Sequence, residues 1–312
     1  MKYGLINIKS AFRIDLSSIE PFIAAKKPEK IVQLDPVLPV KSRKNCLVPF
    51  TKATEILIEA EKENRALWQL AVEYESTRGN LSADEVLSMA VDLVKIMKEA
   101  VNTGLRGTIY SDRILGPQAS SLDAHKGPLL GGEQVKRLIT YVTAIMETKS
   151  AMGVIVAAPT AGSCAGLPGT LLATAEELGL NETDTAKGLL AAGLVGVLIA
   201  TASTFAAEEC GCQAECGAGS GMAAAGLVQL AGGSVAQALG AAAMGLQNII
   251  GLVCDPVANR VEVPCLGKNV LAGMNAIASA NMALAGFDCV IPLDETIAAF
   301  DQVGRMLPPE LR

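Results

Sequence analysis

Between Gly188 and Ala207 the chain runs 20 residues without a charged side chain, GLLAAGLVGVLIATASTFAA, and almost everything after Gly132 is similarly rich in Ala, Gly and Leu. A segment this long and apolar either crosses a bilayer or lies inside a protein. The run is weak in residues that drive insertion and has neither Trp nor Tyr at its edges nor basic loop asymmetry, so no membrane partner is expected. It reads as a central helix buried on all sides by other helices. Helices are expected near 133–149, 167–178, 184–207, 218–231, 234–250, 267–286 and 294–306. No hairpin signature or alternating run interrupts them, so the class is all-α: a compact multi-helix domain whose small residues let backbones pack closely.

Residues 1–50 read differently. They are rich in Lys and Pro, with short β-branched runs such as Ile31-Val32-Gln33-Leu34 and no sustained helical period. An irregular or weakly stranded arm is expected there, followed by a helical domain over 51–312. One helix is expected to begin at Thr51 and end near Gly79-Asn80. Ser82 and Glu85 form a capping box for a second, which stops by Gly104. The polar, Gly-containing stretch 105–131 is too long for an ordinary connection and is a candidate active-site loop.

At 312 residues and 50% apolar, the chain can bury a large core. A net charge of −6 and few aromatic residues give no footprint for nucleic acid. The N-terminus lacks the pattern of a secretory signal, so a cytoplasmic setting is expected, in which the eight cysteines are ligands or buried thiols rather than disulfides.

Five of those cysteines fall within 56 residues: Cys210, Cys212, Cys216, Cys254 and Cys265. Gly and Pro beside them hold the backbone in turns, and thiolates are the soft ligands that zinc and iron–sulfur clusters need. Cys46, Cys164 and Cys289 are isolated and read as small buried hydrophobes. Zinc would favour paired Cys-x-x-Cys knuckles or histidines, and the chain has neither, with His125 its sole histidine. A cluster held by three cysteines leaves one iron without a protein thiolate, able to act as a Lewis acid. Spacing alone does not say which of Cys210, Cys212 and Cys216 binds. Pro159 followed by Thr160-Ala161-Gly162-Ser163 can present N–H groups to an anion such as a carboxylate. Lys268 and Asn269 stand either beside the cysteines or on a solvated helix start.

Several longer runs stand in order: Ser150-Ala-Met-Gly153, Ala157-Ala-Pro-Thr-Ala-Gly-Ser163, Gly211-Cys-Gln-Ala-Glu215, Gly251-Leu-Val-Cys-Asp-Pro-Val257, Val263-Pro-Cys265 with Asn269, and Val290-Ile-Pro-Leu-Asp294. Together they resemble the α chain of iron–sulfur-dependent L-serine dehydratases over roughly residues 50–312. The resemblance implies a lyase that converts L-serine to pyruvate and ammonia, with Cys212, Cys254 and Cys265 holding a 4Fe–4S cluster. Cys210 and Cys216 are then neighbours. Thr160, Ala161, Gly162, Ser163 and Asn269 become substrate-binding candidates. The cluster iron would act on the serine hydroxyl, and no pyridoxal phosphate is expected.

General bases are most often histidines or carboxylates. The Ser-Ser-Ser-His-Thr motif that the family carries in a β domain or β chain has no match here, so a partner β chain is expected to complete the site and supply the base. His125 is the candidate within this chain. An oligomeric assembly is expected. Lys149-Ser150 replaces the family's Asn-Ala or Asn-Ser before Met-Gly, and the sequence stops at Arg312 where relatives continue into a glycine-rich tail. Two other readings are a lyase for threonine or cysteine and a non-catalytic cluster-binding sensor or scaffold.

Overall fold

The structure, a computed structural model, describes residues 6–8, 14–32, 46–258 and 260–312. The chain divides into two units, Met1–Ser42 and Arg43–Arg312. In the first, Asp15 caps a 3-10 turn at Leu16–Ile19 that leads into helix α1 (Glu20–Lys26). The rest of its described residues are irregular. Of the β-branched run, Gln33 and Leu34 lie outside the described residues.

The second unit is a succession of helices: α2 (Ala53–Glu63), α3 (Leu67–Gly79), α4 (Ala83–Arg106), α5 (Ala119–Ala124), α6 (Gly132–Ser150), α7 (Gly166–Glu177), α8 (Glu182–Ala202), α9 (Ala207–Cys212), α10 (Ala218–Leu230), α11 (Val235–Gln247), α12 (Cys265–Leu284) and α13 (Leu293–Met306). A π-helical turn at Gln213–Gly217 joins α9 to α10. The fold is all-α, with no strand among the described residues.

Its centre is α10, buried from Ala218 to Val228 and packed by α7, α8, α11 and α12. Glycines permit the approach. A Cβ on Gly226 would stand 2.9 Å from the Gly188 carbonyl, and one on Gly221 would stand 3.0 Å from that of Ala242. The 188–207 segment is therefore not the helix buried on all sides. It forms most of α8, which exposes Gly193 and Ala200–Ala202. By length and composition α8 alone among the described helices is apolar enough to cross a bilayer, and 61% of that window is buried. Beyond Ala202, Thr204 Oγ1 accepts locally from Ala206 N, and Ser203 Oγ donates to Asp301 of α13.

The expected single helix over 51–80 is two. Asn64 at φ 51 ends α2, and Arg65 pairs with Glu59, Glu63 and Glu73 before α3 begins. The break covers only residues 64–66 and the apolar period resumes after it, so pattern alone does not register it. Ser82 and Glu85 cap α4 as a reciprocal pair. Asp294, the last residue of the Val290-Ile-Pro-Leu-Asp294 run, accepts from Ala53 N and Thr54 N and so caps α2 from the start of α13. A second apolar cluster lies among α4, α6 and α7 and includes Cys164 and Cys265.

Candidate active site

The chain breaks its helix where the cysteines begin. Inside α9, Cys210 lies at φ −133 and Gly211 at φ 70. The left-handed backbone there suits glycine, and a Cβ on Gly211 would also stand 2.7 Å from Leu307 Cδ1 and 3.0 Å from the Leu252 carbonyl. The break places Cys212 at the head of the π turn that runs into α10. Gln213, fully buried, fastens it: its Nε2 donates to Phe300 O (2.6 Å), its Oε1 accepts from Gly251 N (2.8 Å), and its own N–H donates to Leu252 O (2.9 Å). One side chain thus holds the Cys212 turn, α13 and the approach to Cys254 together. Cys265 is the first residue of α12, so Cys212 and Cys265 both stand at helix starts, where the backbone field favours a thiolate.

Thiols from three separate segments meet here. Hydrogen bonding between Cys212 and Cys265 is the largest influence on both: Cys265 is lowered to about 7, and Cys212, the donor, is held far above the ordinary thiol value. Cys254 also lies against Cys212, and partial burial raises it. Among the described residues, no trio of His, Cys, Asp or Glu side chains is gathered tightly enough to hold a single metal ion. Burial pushes Cys164 and Cys216 up to about 12 and also raises Cys210. Cys164 faces Met146 Sδ at 3.9 Å. Cys46 donates to backbone carbonyls of Leu47 and Thr77, and Cys289 is half-buried near Gly240.

Lys268 and Asn269, one turn into α12, are not solvated. The Lys268 side chain donates to Val253 O (2.7 Å) and pairs with Asp255, which follows Cys254. Burial opposes its charge, but Asp255 and the thiols of Cys212 and Cys265 outweigh burial and raise its pKa. Asn269 Oδ1 accepts from Ala165 N (3.1 Å) and Gly166 N (2.9 Å), and its Nδ2 donates to Gly162 O (3.0 Å) and Cys265 O (2.9 Å). It ties the start of α12 to the 160–163 turn and to the start of α7.

In that turn Thr160 Oγ1 accepts from Ser163 N (3.0 Å) and donates to Glu215 Oε1 (2.6 Å). Among the described residues, the N–H groups of Ala161 and Gly162 have no partner in the chain. Ala161 is exposed, Gly162 half-buried and Ser163 fully buried. Glu215 is half-buried, and burial raises its carboxyl despite the Thr160 hydrogen bond. The sequence reading gave it no role, although a signal was present: Glu215 is the sole charged residue between Cys210 and Cys254.

The 105–131 stretch contains α5 and is pinned by two other glutamates. Glu147, buried in α6, accepts from Gln118 N (2.6 Å) and Ala119 N (3.2 Å), with Arg113 beside it at 3.6 Å. Glu262 accepts from Ile114 N (2.8 Å) and Leu115 N (3.0 Å), which tethers this stretch to the Cys254–Cys265 excursion. Both were missed, because long-range backbone acceptors leave no local pattern. His125 is exposed at the end of α5, where its carbonyl accepts from Lys136 Nζ (2.8 Å). None of its contacts among the described residues is with the cysteine site.

A family model described as serine dehydratase alpha chain matches residues 62–312. The probable L-serine dehydratase alpha chain of Bacillus subtilis is 38% identical over 261 residues, covering 82% of this chain and 86% of the relative. The L-serine dehydratase alpha chain of Peptoniphilus asaccharolyticus is 34% identical over 263 residues, 83% of this chain and 90% of that one. L-serine dehydratase 1 of Escherichia coli is 30% identical over 276 residues, 85% of this chain but 60% of the longer protein. With three thiols converging at the motifs that first suggested it, and the match running through every helix from α3 to α13, the chain belongs to the serine dehydratase alpha chain family.

Proposed function

We propose that this chain is the α subunit of an iron–sulfur L-serine dehydratase that converts L-serine to pyruvate and ammonia. The observation that carries this reading is the meeting of Cys212, Cys254 and Cys265 beside the 160–163 turn, whose free N–H groups suit a substrate carboxylate. The donor set fits a multi-iron cluster: three soft thiols on three segments, two at helix starts, one lowered to about 7, with the Lys268 ammonium to balance their charge. When bound, a 4Fe–4S cluster held by three cysteines supplies an open Lewis-acid iron for a departing hydroxyl.

The chain's own residues do the rest of the positioning. Ala161 and Gly162 N–H groups receive the carboxylate, with Thr160 and Ser163 shaping the turn. Asn269 spends its polar atoms on this chain and so acts on the turn, keeping it in register with the start of α12. Lys268 holds the Cys254 loop against the thiols. Loss of the α-proton and of hydroxide leaves aminoacrylate, which tautomerises to an imine and hydrolyses to pyruvate and ammonia without further help. No pyridoxal phosphate is needed.

The proton is removed by a group from a β chain rather than by the exposed His125. Two relatives are themselves named alpha chains, and the longer Escherichia coli protein extends well beyond the match. The catalytic domain is taken as 51–312, the assembly as an oligomer with β, and the setting as cytoplasmic. The test is anaerobic co-expression with and without a β chain. Pyruvate from L-serine only with the partner supports the reading. Turnover of threonine or cysteine in preference to serine redirects the substrate, and a cluster with no turnover of any of the three leaves only a sensor.

A further inference from the structure

We infer that Glu215 receives the α-ammonium group of the substrate and thereby restricts the site to α-amino acids, a role that rests on the serine dehydratase reading. A zwitterionic amino acid needs a cation acceptor as well as a carboxylate acceptor. The acceptor must face the carboxylate turn at a distance spanned by one carbon.

Glu215 meets that requirement on three independent counts. Its position is fixed to the turn, because Thr160 Oγ1 donates to Oε1 at 2.6 Å and itself receives Ser163 N. The turn is packed against the carboxylate: a Cβ on Gly162 would stand 2.8 Å from Oε2 and 2.9 Å from Oε1, so a larger residue there would push the carboxylate aside. Its charge is unanswered, since no Lys or Arg among the described residues pairs with it. Lys149 and Glu208 act on it only at longer range and in opposite senses. A half-buried carboxylate is costly without a partner, and here its fixed contacts are one hydroxyl and a glycine.

The other buried glutamates mark the difference. Glu147 and Glu262 each accept two backbone N–H groups and stand near arginines. They are spent on structure. Glu215 lies three residues beyond Cys212 on the π turn, so the helix start that presents the thiol also presents the carboxylate. An amino acid whose carboxylate sits on the Ala161 and Gly162 N–H groups has its α-nitrogen toward Glu215 and its side-chain hydroxyl free to turn toward the thiols.

The test uses the anaerobic α–β holoenzyme and two unreactive or partial analogues. L-Alanine keeps the ammonium and carboxylate but has no leaving group; 3-hydroxypropanoate keeps the carboxylate and hydroxyl but has no ammonium. Glu215→Gln is expected to weaken L-alanine binding by about 30-fold or more, while 3-hydroxypropanoate inhibition stays within about twofold of the parent. Iron and sulfide content should be unchanged. Glu215→Asp should recover part of the lost L-alanine binding. Equal weakening of both analogues, or L-alanine binding left intact while kcat collapses, overturns the assignment, the second by making Glu215 a proton-transfer group instead. A parent complex that neither turns over serine nor binds L-alanine removes the function reading and this one with it, whereas intact serine turnover with unaltered analogue selectivity in Glu215→Gln removes this one alone.

Discussion

Cys265 is as deeply buried as Cys164 and Cys216, yet its chemistry is opposite. Cys164 sits against a methionine and Cys216 against the Asn269 amide, and burial raises both thiols to about 12. Cys265 has a thiol donor, a helix start and the nearby Lys268 ammonium, and its value falls to about 7. Burial does not decide whether a cysteine is a ligand or a core residue; neighbours that stabilise a thiolate do. Each of these thiols is a single side chain, so the contrast can be broken by single substitutions.

The largest effect is expected at the three cysteines proposed as ligands. Replacing Cys212, Cys254 or Cys265 by Ser should take iron and sulfide to background and abolish turnover, as measured on anaerobically purified protein. A Cys254→Ser protein with full iron would remove that residue from the site. Next comes Lys268→Met, which leaves Asp255 and the thiolates without their cation. Its cluster should be lost to a chelator about 10- to 100-fold more readily, the usual cost of removing a supporting partner. Gln213→Ala should destabilise the fold by about 1–3 kcal/mol in denaturant titrations, because the bonds of its buried amide to the Phe300 carbonyl and the Gly251 N–H are lost. Cys164→Ala sharpens the comparison from the other side: about 1 kcal/mol of lost packing, with iron content unchanged. A variant that loses iron would merge the two sets.

The smallest effect is the pH dependence of the cluster-free chain. Cys265 ionises at about 7 when folded, against about 8.5 unfolded. Its stabilising contribution is complete above the unfolded value and lost as pH falls through about 7. Cys212 is raised and works in the opposite sense above the unfolded value, where the unfolded chain gives up a proton that the folded chain keeps. Melting temperature should therefore rise from pH 6 to a maximum near 8.5 and decline beyond it, on the roughly 8.5 reference. Cys265→Ser should flatten the rising limb.

Much of this was legible in the sequence, and unevenly so. Small-residue periodicity located the helices after Gly132, since Ala and Gly at helical spacing have one economical use, the close packing of backbones around α10. It misjudged which helix is central: freedom from charge says that α8 can be buried, not that neighbours cover every side. The Asn64 break escaped because a single left-handed residue restarts the same period. At the site, cysteines announce themselves by type and by adjacent Gly and Pro. Their convergence does not, because it depends on Gln213 reaching both α13 and residue 251. Glu215 was visible as a lone charge in 45 residues of small apolar sequence, but its meaning lies in Thr160 and Gly162, more than 50 positions away.

The central claim is that three thiolates hold a cluster and leave one iron for the substrate. Mössbauer spectra of the iron-enriched α–β complex, recorded anaerobically with and without L-serine, test it most directly. One iron whose parameters change on serine addition while the others stay fixed is the predicted result. A cluster whose irons are equivalent and indifferent to serine, or a complex without iron, would contradict it.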